Sequence, residues 1–173
     1  MCPTLGGDQI IVRISNLFGT GPLLIGAARV GFHAAKAALA PGSNQVLAFS
    51  GAPLVAIPVG AAAVSDASVF AVHAGVDLAV SIFVKLSSGP ATCHGLGLQT
   101  SFASDVGDFT ANEDGKPFDA TIRCWPFLIG LDVRAVEGAH SVVIFGDSVT
   151  DGVHSTPDTN RRWSDFLSRS TST

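Results

Sequence analysis

Between Gln9 and about Val136 the chain is a succession of short apolar runs, each stopped within a few residues by Gly, Pro, Asn or Ser, and no long stretch holds the 3.6-residue period of a helix. This is a β pattern. Ile10-Ile11-Val12-Arg13-Ile14 stops at Ser15-Asn16, Leu23-Leu24-Ile25 leads to Ala28-Arg29-Val30, and Gln45 to Phe49 stops at Ser50-Gly51-Ala52-Pro53. The clearest strand is Val76 to Leu86, where Val76, Leu78, Val80, Ile82, Val84 and Leu86 alternate with a mixed set, as in a sandwich strand with one buried face. Phe127 to Val136 repeats the pattern, with Phe127, Ile129, Leu131 and Val133 on one face. Ala27 to Ala40 is rich in alanine, but Gly26, Gly31 and the flanking runs favour a strand followed by a loop over a helix. The Asn16-Leu17-Phe18-Gly19 turn reads most simply as a hairpin connection.

Composition sets the partners. Ten basic against fourteen acidic residues give a net charge of −4, so no basic excess recruits nucleic acid or an anionic membrane. Apolar residues make up 47% and charged residues 14%, against about 25% charged in typical soluble proteins, which implies a packed core rather than disorder. No uncharged apolar run reaches the roughly 18 residues of a membrane helix. The best stretch, Ala52 to Val64, is short and holds Pro53 and Pro58, so no membrane span is expected. Residues Met1 to Asp8 carry neither a basic segment nor an apolar one, so no signal peptide is visible, and the compartment stays open.

Cys2, Cys93 and Cys124 are odd in number and lack close-paired spacing, which argues against a disulfide framework and against zinc. They read as small hydrophobes, with the pairing of any two left open. The polar stretch Asp105 to Pro117 is expected to be an exposed loop, and its Asp108, Glu113 and Asp114 lack the alternating spacing of a calcium loop. His33, His73, His94 and His140 share no metal-ligand spacing, so no metal is expected.

After Glu137-Gly138 the pattern changes. Ser141-Val142-Val143-Ile144-Phe145 is continuously apolar, as expected of a strand buried on both faces of a parallel sheet. Gly146-Asp147-Ser148 follows, then a polar loop, then Asn160 as the cap of a helix from Arg161 to Arg169 with Trp163, Phe166 and Leu167 on one side. The chain therefore divides into a β-sandwich at 1–137 and the first β-loop-α unit of a second, α/β domain at 138–173. One such unit cannot stand alone, because a strand buried on both faces needs neighbours. Its unpaired edge and the apolar side of the helix predict association in solution.

Gly146-Asp147-Ser148-Val149-Thr150-Asp151-Gly152 falls where a strand should end and a helix begin, the edge at which open α/β sheets bind ligands. Gly146 permits a tight turn, Asp147 and Asp151 are suited to bonding loop amides, and Ser148 stands exposed with its backbone N–H free to meet an anionic oxygen. Val143 to Gly152, extended by Ser155-Thr156-Pro157-Asp158-Thr159-Asn160-Arg161-Arg162-Trp163, resembles the first motif block of the SGNH hydrolases, the GDSL esterase and lipase family. Four earlier stretches resemble the β-sandwich that precedes the hydrolase domain in one branch of that family: Val12 to Thr20, Ile25 to Val30, Gly97 to Ser101 and Gly107 to Ala111. The chain departs from the pattern at Cys93 and Gly95, where relatives tend to carry Trp and Pro.

The resemblance implies a flavodoxin-like hydrolase domain, with Ser148 as the nucleophile of an acyl-enzyme mechanism and its N–H as one oxyanion donor. It implies no cofactor and a small-molecule or carbohydrate ester as substrate. The family's other oxyanion donors and its catalytic Asp-x-x-His belong to later blocks, so this stretch is expected to be an N-terminal fragment with little turnover by itself. Asp151-Gly152-Val153-His154 spells Asp-x-x-His, but His154 shares the loop of Ser148 with no separate element to aim it and reads as a loop histidine. The alternative from another class is a carbohydrate-binding sandwich with no chemistry, or a product without function. Tyr is absent and Trp125 and Trp163 both fall late in the chain, which thins the case for a sugar platform.

Overall fold

The computed structural model describes residues 1–135 and 137–171. The end of the expected 127–136 strand and the last two residues of the expected second domain lie outside them. The fold is mainly β and antiparallel. In chain order the elements are β1 (Gly7–Ser15), β2 (Leu23–Ala35), β3 (Ala38–Leu39), β4 (Gln45–Val46), β5 (Val55–Ile57), β6 (Ala62–Val64) and β7 (Ser68–Val72). They continue with β8 (Leu78–Leu86), β9 (Cys93–His94), β10 (Ser101–Ala103), β11 (Ala120–Ile122), β12 (Trp125–Pro126), β13 (Leu128–Val133) and α1 (Trp163–Thr171).

Two long strands organise two sheets. β1 carries β13 along one edge and, end to end along the other, β6 and β7. β2 carries β8 along one edge and β5, β4 and β3 in succession along the other. Alternation on β1 points Ile10, Val12 and Ile14 inward, where they join Leu23, Ile25, Ala28 and Val30 of β2 with Leu47, Ile57, Phe70 and Leu78 in a single buried cluster. Burying each such isoleucine or leucine contributes about 1.5–3 kcal/mol, so this cluster is the main source of stability. The alanine-rich segment belongs to β2, as its flanks suggest. Its inward set changes parity between Ile25 and Ala28 because the ladder to β8 slips around Gly26, where an added Cβ would stand 2.7 Å from Cδ1 of Phe83.

Four sequence expectations are corrected. The Asn16 turn is no hairpin: β1 and β2 lie in different sheets, and the turn carries the chain between them. On β13 the register slips between Arg13 and Ile14, so Ile14 meets Leu128, and Ile129 is passed over and left 53% exposed. Phe127 and Leu128 are both buried as a result. The run Ser141 to Phe145 forms no strand; it makes no backbone hydrogen bond to any described residue, and Val143 and Phe145 are 90% and 101% exposed. A strand needs a neighbour to take its N–H and C=O groups, and this run has no such partner among the described residues. Among the described residues from 137 onward the only regular element is α1, so the β-loop-α unit expected at 138–173 does not form.

The fourth concerns the helix start. α1 is capped by Asp165, whose carboxylate accepts the Arg162 N–H at 2.7 Å, the return half of a capping box. Asn160 has a left-handed backbone (φ 49°) and its side chain is engaged elsewhere, donating to both carboxylate oxygens of Asp77. Trp163, Phe166 and Leu167 stay partly exposed, as expected of an uncovered apolar side.

Candidate functional site

Gly146 to Val153 folds into one helical turn with a cap at each end. At its start the Asp147 carboxylate accepts the Val149 N–H at 2.9 Å, and the Asp147 carbonyl accepts the Asp151 N–H at 3.1 Å. At its end Val153 N–H donates to Ser148 O and Gly152 N–H to Val149 O, the paired bonds of a Schellman motif. That motif requires a left-handed residue, which Gly152 supplies with φ 97°, and Arg162 Cγ lies 2.9 Å from where a Cβ would be. Gly146 is required by closeness: a Cβ there would collide with the Thr150 side chain.

Ser148 is the first residue of this turn. Its side chain is exposed, and neither its hydroxyl nor its N–H has a hydrogen-bond partner among the described residues. With no strand formed before the motif, the turn is held by its double cap and by the bonds that it and the following segment make to His94 and to residues 97–100. Asp147 bonds a loop amide as expected, whereas Asp151 reaches outward: its Oδ2 lies 2.8 Å from His94 Nε2. His154 is exposed with φ 67° and stays a loop residue.

The segment after the turn docks over residues 97–100. Asp158 N–H donates to Leu98 O at 2.9 Å, and the Asp158 carboxylate accepts from Thr100 N–H and hydroxyl at 2.6 and 2.7 Å. Gln99 Nε2 donates to Asn160 Oδ1 at 2.8 Å, Arg162 donates to Gly97 O, and Trp163 Nε1 donates to Thr150 O at 3.1 Å. A cleft of about 290 Å³ opens beside the turn, lined by Phe145, Gly146, Asp147, Thr150, Asp151 and Arg162 among others, with Ser148 outside its lining. The five motif residues are thus together, and the cleft adjoins them without containing the serine.

Sequence reasoning missed His94 and the cysteines around it. Cys93 and Cys124 form a disulfide, Cα–Cα 5.9 Å, which overturns their reading as small hydrophobes and leaves Cys2 unpaired. Their spacing of 31 residues hid the pairing, because it arises from β9 lying against β12 with Pro126 opposite Cys93 and Trp125 opposite His94. The only sequence signal is that each cysteine precedes a ring, in Cys93-His94 and Cys124-Trp125. The carboxylates of the acidic loop are engaged within the protein: Asp108 caps Thr110, Glu113 accepts the Gly42 and Asn44 N–H groups of a distant turn, and Asp114 pairs with Lys116. Among the described residues no three His, Cys, Asp or Glu side chains are placed to hold a metal ion, and no helix is long and apolar enough to cross a membrane. No protein-family model matches the chain, and no curated protein matches it.

Proposed function

We propose that this chain carries the nucleophile of an SGNH-type serine esterase, with Ser148 attacking an ester carbonyl and an acyl-enzyme being hydrolysed in a second step. The observation that carries this reading is the double-capped turn, which presents an exposed, unpartnered Ser148 hydroxyl next to its own free N–H. In this reading residues 1–137 are the β-sandwich of the branch with such a domain, and 138–173 open a flavodoxin-like hydrolase domain. The exposed apolar run before Gly146 is then the first strand of that domain, waiting for parallel neighbours. A histidine from outside the described residues takes the serine proton, since neither His94 nor His154 bonds Ser148. No cofactor takes part in this chemistry, and the substrate class is a small or carbohydrate ester.

The test is hydrolysis of p-nitrophenyl acetate and labelling by a fluorophosphonate, using the complete natural translation product. Ser148→Ala should abolish the label and lower kcat by about 10⁴-fold or more. A label that survives in Ser148→Ala overturns the reading, as does a stop codon directly after that of Thr173 in the transcript. The 173-residue chain alone should turn over no faster than its Ser148→Ala variant.

A further inference from the structure

The Ser148 turn is a single helical turn, and an isolated turn of that length does not persist in water. Its order must come from what it is docked against. Two side-chain hydrogen bonds leave it directly for the rest of the chain: Asp151 to His94 at 2.8 Å, and the Thr150 carbonyl to Trp163 Nε1 at 3.1 Å. The second ties the turn to α1, which follows it in sequence; the first ties it to the β9–β12 ribbon. A carboxylate only accepts, so His94 Nε2 is the donor.

His94 is itself held in an unusual way. It lies on β9, two residues long, paired with the equally short β12 in a sheet of their own. Two such strands are marginal alone. The Cys93–Cys124 disulfide closes this pair, and the imidazole meets the Trp125 indole edge-on at 5.8 Å, so each half of the bridge sits next to one of the two rings. Cys93 is exposed and Cys124 half-buried, which leaves the bridge open to attack.

We infer that His94 is a positioning residue for Ser148: through Asp151 it fixes the turn on the β9–β12 ribbon, and the Cys93–Cys124 disulfide keeps His94 in place, so reduction of that bridge releases the turn. The step consumes a dithiol reductant. A thiolate of the reductant attacks one bridge sulfur, its second thiol displaces the mixed disulfide, and two electrons and two protons leave Cys93 and Cys124 as thiols while the reductant closes to a cyclic disulfide. The consequence for catalysis rests on the reading of Ser148 as nucleophile, whereas the holding of the turn does not.

The experiment is amide hydrogen exchange on the 173-residue chain, comparing the Asp151, Gly152 and Val153 amides of the turn with the Val12 and Val30 amides of the two sheets. His94→Ala should speed turn exchange about tenfold or more, the weight of one charge-assisted hydrogen bond, and leave Val12 and Val30 unchanged. His94→Gln, whose amide nitrogen can also donate to Asp151, should restore protection. Dithiothreitol, or Cys93→Ser with Cys124→Ser, should mimic His94→Ala and add little to it. Turn exchange indifferent to His94→Ala, or a rise shared equally by the sheet amides, overturns the inference. If the turn responds but Ser148→Ala leaves esterase activity intact in the complete product, the esterase reading falls and the positioning role stands.

Discussion

Asn16 donates from Nδ2 to the carbonyl of Ile57 across 2.9 Å, tying the end of β1 to the end of β5 in the opposite sheet. The same nitrogen donates to Gly21 O at 2.9 Å, and the Asn16 backbone bonds Ala61 O and Gly60 N–H, so one fully buried residue joins both sheets where the chain crosses. Truncation would take this donor away from the buried Ile57 carbonyl and from the part-buried Gly21 carbonyl. Asn16→Ala should therefore cost about 2–4 kcal/mol, and its melting temperature by circular dichroism should fall by about 5–15 °C. A shift under about 2 °C would show that water replaces the carboxamide without loss.

The Arg134 guanidinium grips the Asp8 carboxylate with two bonds, Nε to Oδ1 at 2.9 Å and Nη2 to Oδ2 at 2.6 Å. Those bonds hold the Asp8 carboxyl below its ordinary value of 3.8. A carboxyl lowered in the fold contributes stability above the unfolded value, and that contribution drains away as pH falls through the folded one. Both partners are well exposed, so the effect is small and screened by salt. Urea midpoints of Asp8→Asn should decline less than those of the wild type between about pH 5 and pH 2. Parallel declines would assign the acid limb to other carboxylates.

What was legible in the sequence follows from how locally each feature is determined. The 76–86 strand reads in part: β8 pairs with β2 over most of its length, with Leu78 buried and Val80, Ile82 and Val84 packed against the core, whereas Val76 and Leu86, at the two ends of the expected inward face, are exposed. β2 does not show a clean period, since Gly26 marks a slip that reverses its inward set, and Ile129 fails for the same reason on β13. Asn160 has the chemistry of a cap, but Asp77 and Gln99, far away in sequence, compete for its carboxamide and win. The motif turn reads well because Asp147 and Gly152 cap it from within. His94 and the disulfide were illegible: only the antiparallel meeting of β9 with β12 brings them together.

Thiol counting tests that meeting. Burial, reinforced by the negative charge of Asp77, pushes the Cys2 thiol above its ordinary value of 9.0, so little reactive thiolate exists near neutrality. Without reductant the native protein should take up iodoacetamide slowly, the denatured protein should gain one adduct at Cys2, and the denatured, reduced protein should gain three. Three adducts on denatured protein that never met a reductant would sink the Cys93–Cys124 bridge. Intact-mass spectrometry reads each state.

The exposed run before the motif makes a final prediction. Val142, Val143 and Phe145 are 72%, 90% and 101% exposed and consecutive or nearly so, on a segment without regular structure and with no backbone partner among the described residues. Contiguous apolar surface with unpaired N–H and C=O groups is what drives edge-to-edge association. Light scattering should show the chain associating as concentration rises. Val143→Asp with Phe145→Asp should return it to a single size while leaving the melting temperature within about 1 °C, because neither side chain belongs to the buried cluster. A wild-type chain that scatters as a monomer at every concentration would mean that the run is covered in solution, and would remove the argument that it awaits sheet neighbours.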